Sequence, residues 1–150
     1  MDLKATLIEL QCEMVAERSL VNPKEITWLQ YDILYQVEKE GKILPSGLSL
    51  ILGVSRTKLS KALKELKTMG YIEQIPNKLD GRELYTFLTD SGKDLLINIS
   101  RKHMTLYEIA IKSFTKEEQE NFIDLSNKFS KELRKARIRK DEWLYRSKKC

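Results

Sequence analysis

The chain has 150 residues and 17.6 kDa, 41% hydrophobic and 33% charged, which suits one domain with its own core. With 3 Pro and 6 Gly it has few breakers, so helices should dominate and long low-complexity linkers are excluded. The formal charge of +5 is unevenly placed: residues 131–150 hold nine basic and three acidic side chains, a net +6, which leaves the first 130 residues at −1.

The opening Met1-Asp2-Leu3-Lys4 has no apolar signal core. No apolar run approaches the ~20 residues of a membrane span, so a cytoplasmic protein without membrane association is expected. Cys12 and Cys150 lie at opposite ends of the chain and His103 is the one histidine, so no metal-ligand spacing exists. No glycine-rich phosphate loop and no nucleophile beside a base occurs either, and the chain is read as a non-enzyme with no cofactor, no metal and no catalytic residue.

In chain order, Leu3, Leu7, Leu10 and Met14 draw one apolar stripe on a first helix, and Ile8, Cys12 and Val15 draw a second on another side. A helix apolar on two sides needs two surfaces to cover it, which points to a subunit interface. After the break at Asn22-Pro23, Thr27-Trp28-Leu29-Gln30 has the form of a capping box and predicts a helix to about Glu40, ended by Gly41. A short extended stretch, Ile43-Leu44-Pro45, precedes a brief helix over 46–52. Ser55 is an N-cap for a longer helix that ends at Gly70, where a left-handed cap belongs.

Two helices joined through a glycine in three or four residues form a helix-turn-helix pattern. Residues 71–76 and 83–88 are the strand candidates, and the polar turn between them contains Asp80-Gly81. Helix-turn-helix followed by a β-hairpin is the element order of a winged helix. Thr89 can cap a long helix to roughly Ser113, and Thr115-Lys116-Glu117-Glu118 starts another whose stripe is Phe122, Leu125, Phe129 and Leu133.

These motifs, over most of the chain, resemble the MarR family. The strongest segment is Asp80-Gly81-Arg82 followed by Leu88-Thr89-Asp90-Ser91-Gly92, similar to the family's wing pattern. Leu48-Ser49, Leu52-Gly53-Val54-Ser55, Leu59-Ser60, Leu63, Leu66 and Gly70-Tyr71-Ile72 follow its helix-turn-helix, Gln30-Tyr31 with Leu34 its second helix, and Phe114-Thr115-Lys116-Glu117-Glu118 the start of its last one. Leu50 and Ile51 depart from it, since those positions are usually charged; they cover apolar surface or meet another element. The resemblance implies a mainly α fold with a small β-hairpin wing. Residues 25–88 would form the winged helix-turn-helix DNA-binding unit, and residues 1–22 and 89–150 the dimerisation helices.

The implied function is a homodimeric, sequence-specific regulator of transcription, a repressor on a near-palindromic operator in double-stranded DNA. A small aromatic effector or oxidation would release it. Residues 56–67 carry five basic side chains against one acid, Glu65. On that helix Leu59, Ala62, Leu63 and Leu66 should be buried, while Arg56, Thr57, Ser60, Lys61 and Lys64 face outward with Lys58 on the flank. The N-terminal end of a helix lying in the major groove comes nearest the base edges, so Arg56 and Thr57 are the candidate base readers and Lys61 and Lys64 the phosphate contacts. Arg82 at the wing tip would enter the minor groove, with Asp80 orienting it.

Cys12 is a candidate redox sensor, placed like the cysteine of the family's peroxide-sensing branch and near Trp28, Tyr31 and Tyr35. Its neighbours Glu9 and Glu13 disfavour a thiolate, and a small apolar filler is the commoner role. The alternative function is a winged helix whose basic face meets an acidic protein partner.

Overall fold

The computed structural model describes residues 1–79, 81 and 84–149, with the backbone alone for 141–146, 148 and 149. Helix α1 (Leu3–Leu20) starts where the Asp2 carboxylate accepts from the Ala5 N–H at 2.8 Å, and none of its residues is buried. Helix α2 (Trp28–Glu40) opens with both halves of the capping box: Gln30 N donates to Thr27 Oγ1 at 3.1 Å, and Thr27 N donates to Gln30 Oε1 at 3.0 Å.

Pro45 occupies the first position of α3 (Pro45–Leu52), where its missing N–H is no loss. Gly53 follows in the left-handed region at φ 63°, and Ser55 then caps α4 (Arg56–Thr68) by accepting from Lys58 N at 3.2 Å. The turn is tightened by the Ser49 hydroxyl, which donates to Val54 O at 2.6 Å. Gly70, at φ 81°, turns the chain into β1 (Ile72–Pro76), which pairs antiparallel with β2 (Leu84–Leu88) in a register running from Ile72–Leu88 to Pro76–Leu84. Ile43 adds an isolated bridge to Thr86 through two backbone hydrogen bonds of 3.1 and 2.8 Å, so the stretch before α3 is held against the wing.

The core lies within this unit. Ile33, Leu34 and Val37 of α2 meet Leu48 of α3, Leu59, Leu63 and Leu66 of α4, and Ile72 and Leu88 of the strands. Helix α5 (Asp90–Lys102) adds Leu95, Leu96 and Ile99, and its Ser100 hydroxyl shares a 2.9 Å hydrogen bond with that of Tyr31.

The single helix expected over 89–113 is two. The chain breaks at His103 and restarts as α6 (Thr105–Ser113). No Gly or Pro marks the break. The His103 N–H still reaches Ile99 O and Ser100 O, while its ring packs edge-on against Trp28, centroids 5.1 Å apart. A tertiary aromatic contact sits where the helix stops. Helix α7 (Lys116–Lys149) then begins in the expected capping box, with Thr115 N donating to Glu118 Oε2 at 2.7 Å and Glu118 N to Thr115 Oγ1 at 3.2 Å.

Helix α6, like α1, buries nothing. Leu106, Ile109 and Ile111 on α6, and Phe122, Leu125, Phe129 and Leu133 on α7, are all more than 40% exposed, as are Ile8, Leu10, Met14 and Val15 on α1. Large exposed apolar patches of this kind mark interaction surfaces, whereas scattered apolar residues need no explanation. Among the described residues no helix is long and apolar enough to cross a membrane.

Candidate nucleic-acid interface

Helix α4 divides by face. Leu59, Ala62, Leu63 and Leu66, the four residues expected inside, are 1, 6, 5 and 0% exposed. The apolar side thus pins the helix to the core, and a helix so held can present only its other side. Arg56, Thr57, Lys58, Ser60, Lys61 and Lys64 are all exposed. Four of those six are cations within nine residues, too close together in sequence for the charges to ignore one another.

The one acid on the helix, Glu65, has a side-chain partner on α2. Its Oε2 accepts from Gln30 Nε2 at 2.7 Å, and Gln30 is 3% exposed and already fixed by the capping box. The same side chain therefore starts α2 and ties it to α4 through the Glu65 carboxylate.

The wing follows directly. Tyr85 on β2 lies beneath the Lys42 ammonium, 4.7 Å from the ring centroid, which adds a cation at the base of the hairpin. Nothing in the sequence pattern marked Lys42, because it is brought to Tyr85 by the Ile43–Thr86 bridge and not by local spacing. At the tip, Asn77 Oδ1 accepts from Leu79 N at 3.1 Å in a side-chain turn. Asp80 and Arg82, the two wing residues singled out from the sequence, lie outside the described residues.

The wing pattern Leu-Thr-x-x-Gly has a mechanical basis. Thr89 Oγ1 donates to Gly70 O at 2.6 Å and accepts from Gly92 N at 3.1 Å, stitching the end of the recognition helix to the start of α5. Gly92 is buried against the Tyr71 carbonyl oxygen, where a Cβ would collide with backbone. Thr89 and Gly92 thus fix the hairpin relative to α4.

A second feature lies at the junction of α1, α2 and α6. Arg18 grips Asp32 with two hydrogen bonds of 2.8 and 2.6 Å, and its guanidinium stacks 4.9 Å over the Trp28 ring. Trp28 Nε1 donates to Arg18 O and Val21 O, both at 2.9 Å. Beside this cluster is a cavity of 560 Å³ lined by Met14, Val15, Arg18, Trp28, Tyr31, His103 and Leu106 among others. Sequence reasoning named none of it as a pocket, since its walls come from three separate elements. Cys12 is exposed on α1. Among the described residues no group of three His, Cys, Asp or Glu side chains is arranged to hold a metal ion.

Residues 25–83, from the linker before α2 to just before β2, match the profile of the MarR family. The chain is 26% identical over 121 residues to an uncharacterized HTH-type transcriptional regulator of Bacillus subtilis, YybA, covering 81% of this chain and 77% of that protein. It is 33% identical over 72 residues to the multiple antibiotic resistance protein MarR of Salmonella typhimurium, a match that spans 48% of this chain and 50% of that one. Its fold superposes on a mutant MarR from E. coli complexed with operator DNA with a TM-score of 0.63 and 25% identity, covering 86% of this chain and 99% of that one.

An exposed basic helix in a helix-turn-helix, braced by a β-hairpin, defines a winged-helix regulator that binds DNA. Over residues 25–83 the chain is similar to the MarR family, and its fold is that of the MarR structures.

Proposed function

We propose that this chain is a repressor that works as a homodimer, seating two α4 helices in successive major grooves of a near-palindromic operator. The observation that carries this reading is the division of α4 into four buried apolar residues and an exposed polar side that includes Arg56, Thr57, Lys58, Ser60, Lys61 and Lys64. Arg56 and Thr57, at the helix start, read base edges; the Arg56 guanidinium matches the paired acceptors of guanine. Lys58, Ser60, Lys61 and Lys64 follow along the helix and contact phosphates. Arg82 enters the minor groove beside the wing, oriented by Asp80. The partner in this reading is double-stranded DNA in the cytoplasm.

The homodimer is supported by the exposed apolar faces of α1, α6 and α7, which a second copy would cover. Residues 1–22 and 89–150 then supply the seam, and 25–88 the reading unit. Release comes from a small aromatic effector in the 560 Å³ cavity, where Trp28 and Tyr31 offer ring faces and the α1–α2 junction is the element it would move. Oxidation of Cys12 is the competing trigger, a polar sulfur on a helix the partner covers.

Selection of bound sequences from a random duplex pool tests the reading. It predicts an enriched inverted repeat with half-site centres about one helical turn apart. An unenriched pool, with binding instead to acidic polypeptide, would favour the protein-interaction alternative and overturn this one.

A further inference from the structure

Helix α3 is eight residues long, and its last-turn carbonyls have no partner within the helix. Ser49 O is satisfied locally, accepting from the N–H groups of Gly53 and Val54. Leu50 O and Ile51 O are satisfied from the far end of the chain. Arg137, on α7, donates Nε to Leu50 O and Nη2 to Ile51 O, both at 3.1 Å. Its stem crosses the helix-turn-helix turn, with Cδ the nearest atom to where a Cβ on Gly53 would stand, at 3.7 Å.

A planar fork carrying a positive charge fits two adjacent carbonyls at the negative end of a helix better than any other side chain could. The contact also accounts for Leu50 and Ile51, whose side chains are only partly exposed where α7 packs against α3. Arg137 continues the spacing of the α7 stripe, four residues beyond Leu133 and eight beyond Phe129. One face of one helix therefore passes from apolar residues suited to a subunit seam to an arginine that grips the turn immediately before the recognition helix.

We infer that Arg137 is a positioning residue that fixes the reading unit to the dimer helix and so sets the half-site spacing the homodimer accepts. The inference rests on the homodimeric, operator-binding reading above. Rotation of the reading unit about α7 would change the separation of the two α4 helices, and the paired hydrogen bonds at the turn resist it. Arg18 and Asp32 restrain the same unit through α1, so loss of Arg137 loosens the unit without releasing it.

The test uses the full chain and its selected operator. Affinities of the wild type, Arg137→Met and Arg137→Lys are measured on the operator, on versions with one or two base pairs inserted or removed between half-sites, and on a single half-site. Thermal unfolding is followed alongside. Arg137→Met keeps the stem and removes the donors. It should lower the preference for the native spacing by about tenfold while single half-site affinity stays within about twofold and the melting temperature holds. Arg137→Lys, a point charge without the fork, should fall between.

If the spacing preference survives in Arg137→Met, or every duplex including the half-site weakens equally, Arg137 merely stabilises α3 and the inference fails. Should Arg137→Met melt early, the spacing profile of Arg137→Lys decides between the same two outcomes. A wild type that selects no duplex sequence would instead sink the regulator reading, and this inference with it.

Discussion

At the scale of single residues, the positions that hold the site together are those whose bonds join two elements. Gln30 starts α2 and also ties it to α4 through Glu65. Thr89 both caps α5 and ties Gly70 at the end of α4. Gly92 lets α5 approach the Tyr71 carbonyl. Replacing this helical glycine with alanine would gain about 1 kcal/mol of helix propensity. The added methyl meets backbone, which cannot rotate away, and overpacking of that kind costs about 1–3 kcal/mol. Gly92→Ala should therefore lower stability in denaturant titration, and a midpoint equal to or above wild type would show that the hairpin can shift to accept it.

Residue identities were readable in the sequence where the signal was local. The capping boxes at Thr27 and Thr115 and the Ser55 cap occur as expected, since a hydroxyl and a backbone N–H three residues apart meet by helix geometry alone. Arg18–Asp32, Lys42–Tyr85 and Arg137 were not readable, because each joins elements that only the packed core brings together.

At the scale of elements, α4 is the part the sequence described best. Its apolar spacing and its two ends are fixed by residues within the helix or next to it, and its buried set is the expected one. The break between α5 and α6 was missed for the opposite reason. Each half is a good helix by composition, and the stop coincides with the packing of His103 on Trp28, 75 residues earlier in the chain. Helix α4 also carries a quantitative prediction. If Lys61 and Lys64 contact phosphate, each releases condensed counterions, and log affinity against log salt should become shallower by about 0.9 for each lysine replaced with alanine. A slope unchanged in Lys61→Ala and Lys64→Ala would remove them from the interface.

At the scale of the whole molecule, the chain is a well-packed reading unit carrying three helices with uncovered apolar faces. The residues on α1, α6 and α7 expose large apolar side chains together, and in the proposed homodimer a second copy of the same faces would cover them by symmetry. Phe129→Glu places a charge in the middle of the α7 stripe. The account expects sedimentation to show a monomer and operator affinity to fall by more than tenfold, since joining two half-site contacts contributes a factor of about 10²–10⁴. A dimer that persists in Phe129→Glu would move the seam elsewhere.

Whether the outward face of α4 reads sequence in duplex DNA is decided at Arg56. Relative affinities of wild type and Arg56→Ala for every single-base variant of the selected operator would show whether the residue reads a base. Arg56→Ala should lose discrimination at one base pair in each half-site, worth about 1–3 kcal/mol, with the remaining positions read as before. An unchanged discrimination profile in Arg56→Ala would contradict it.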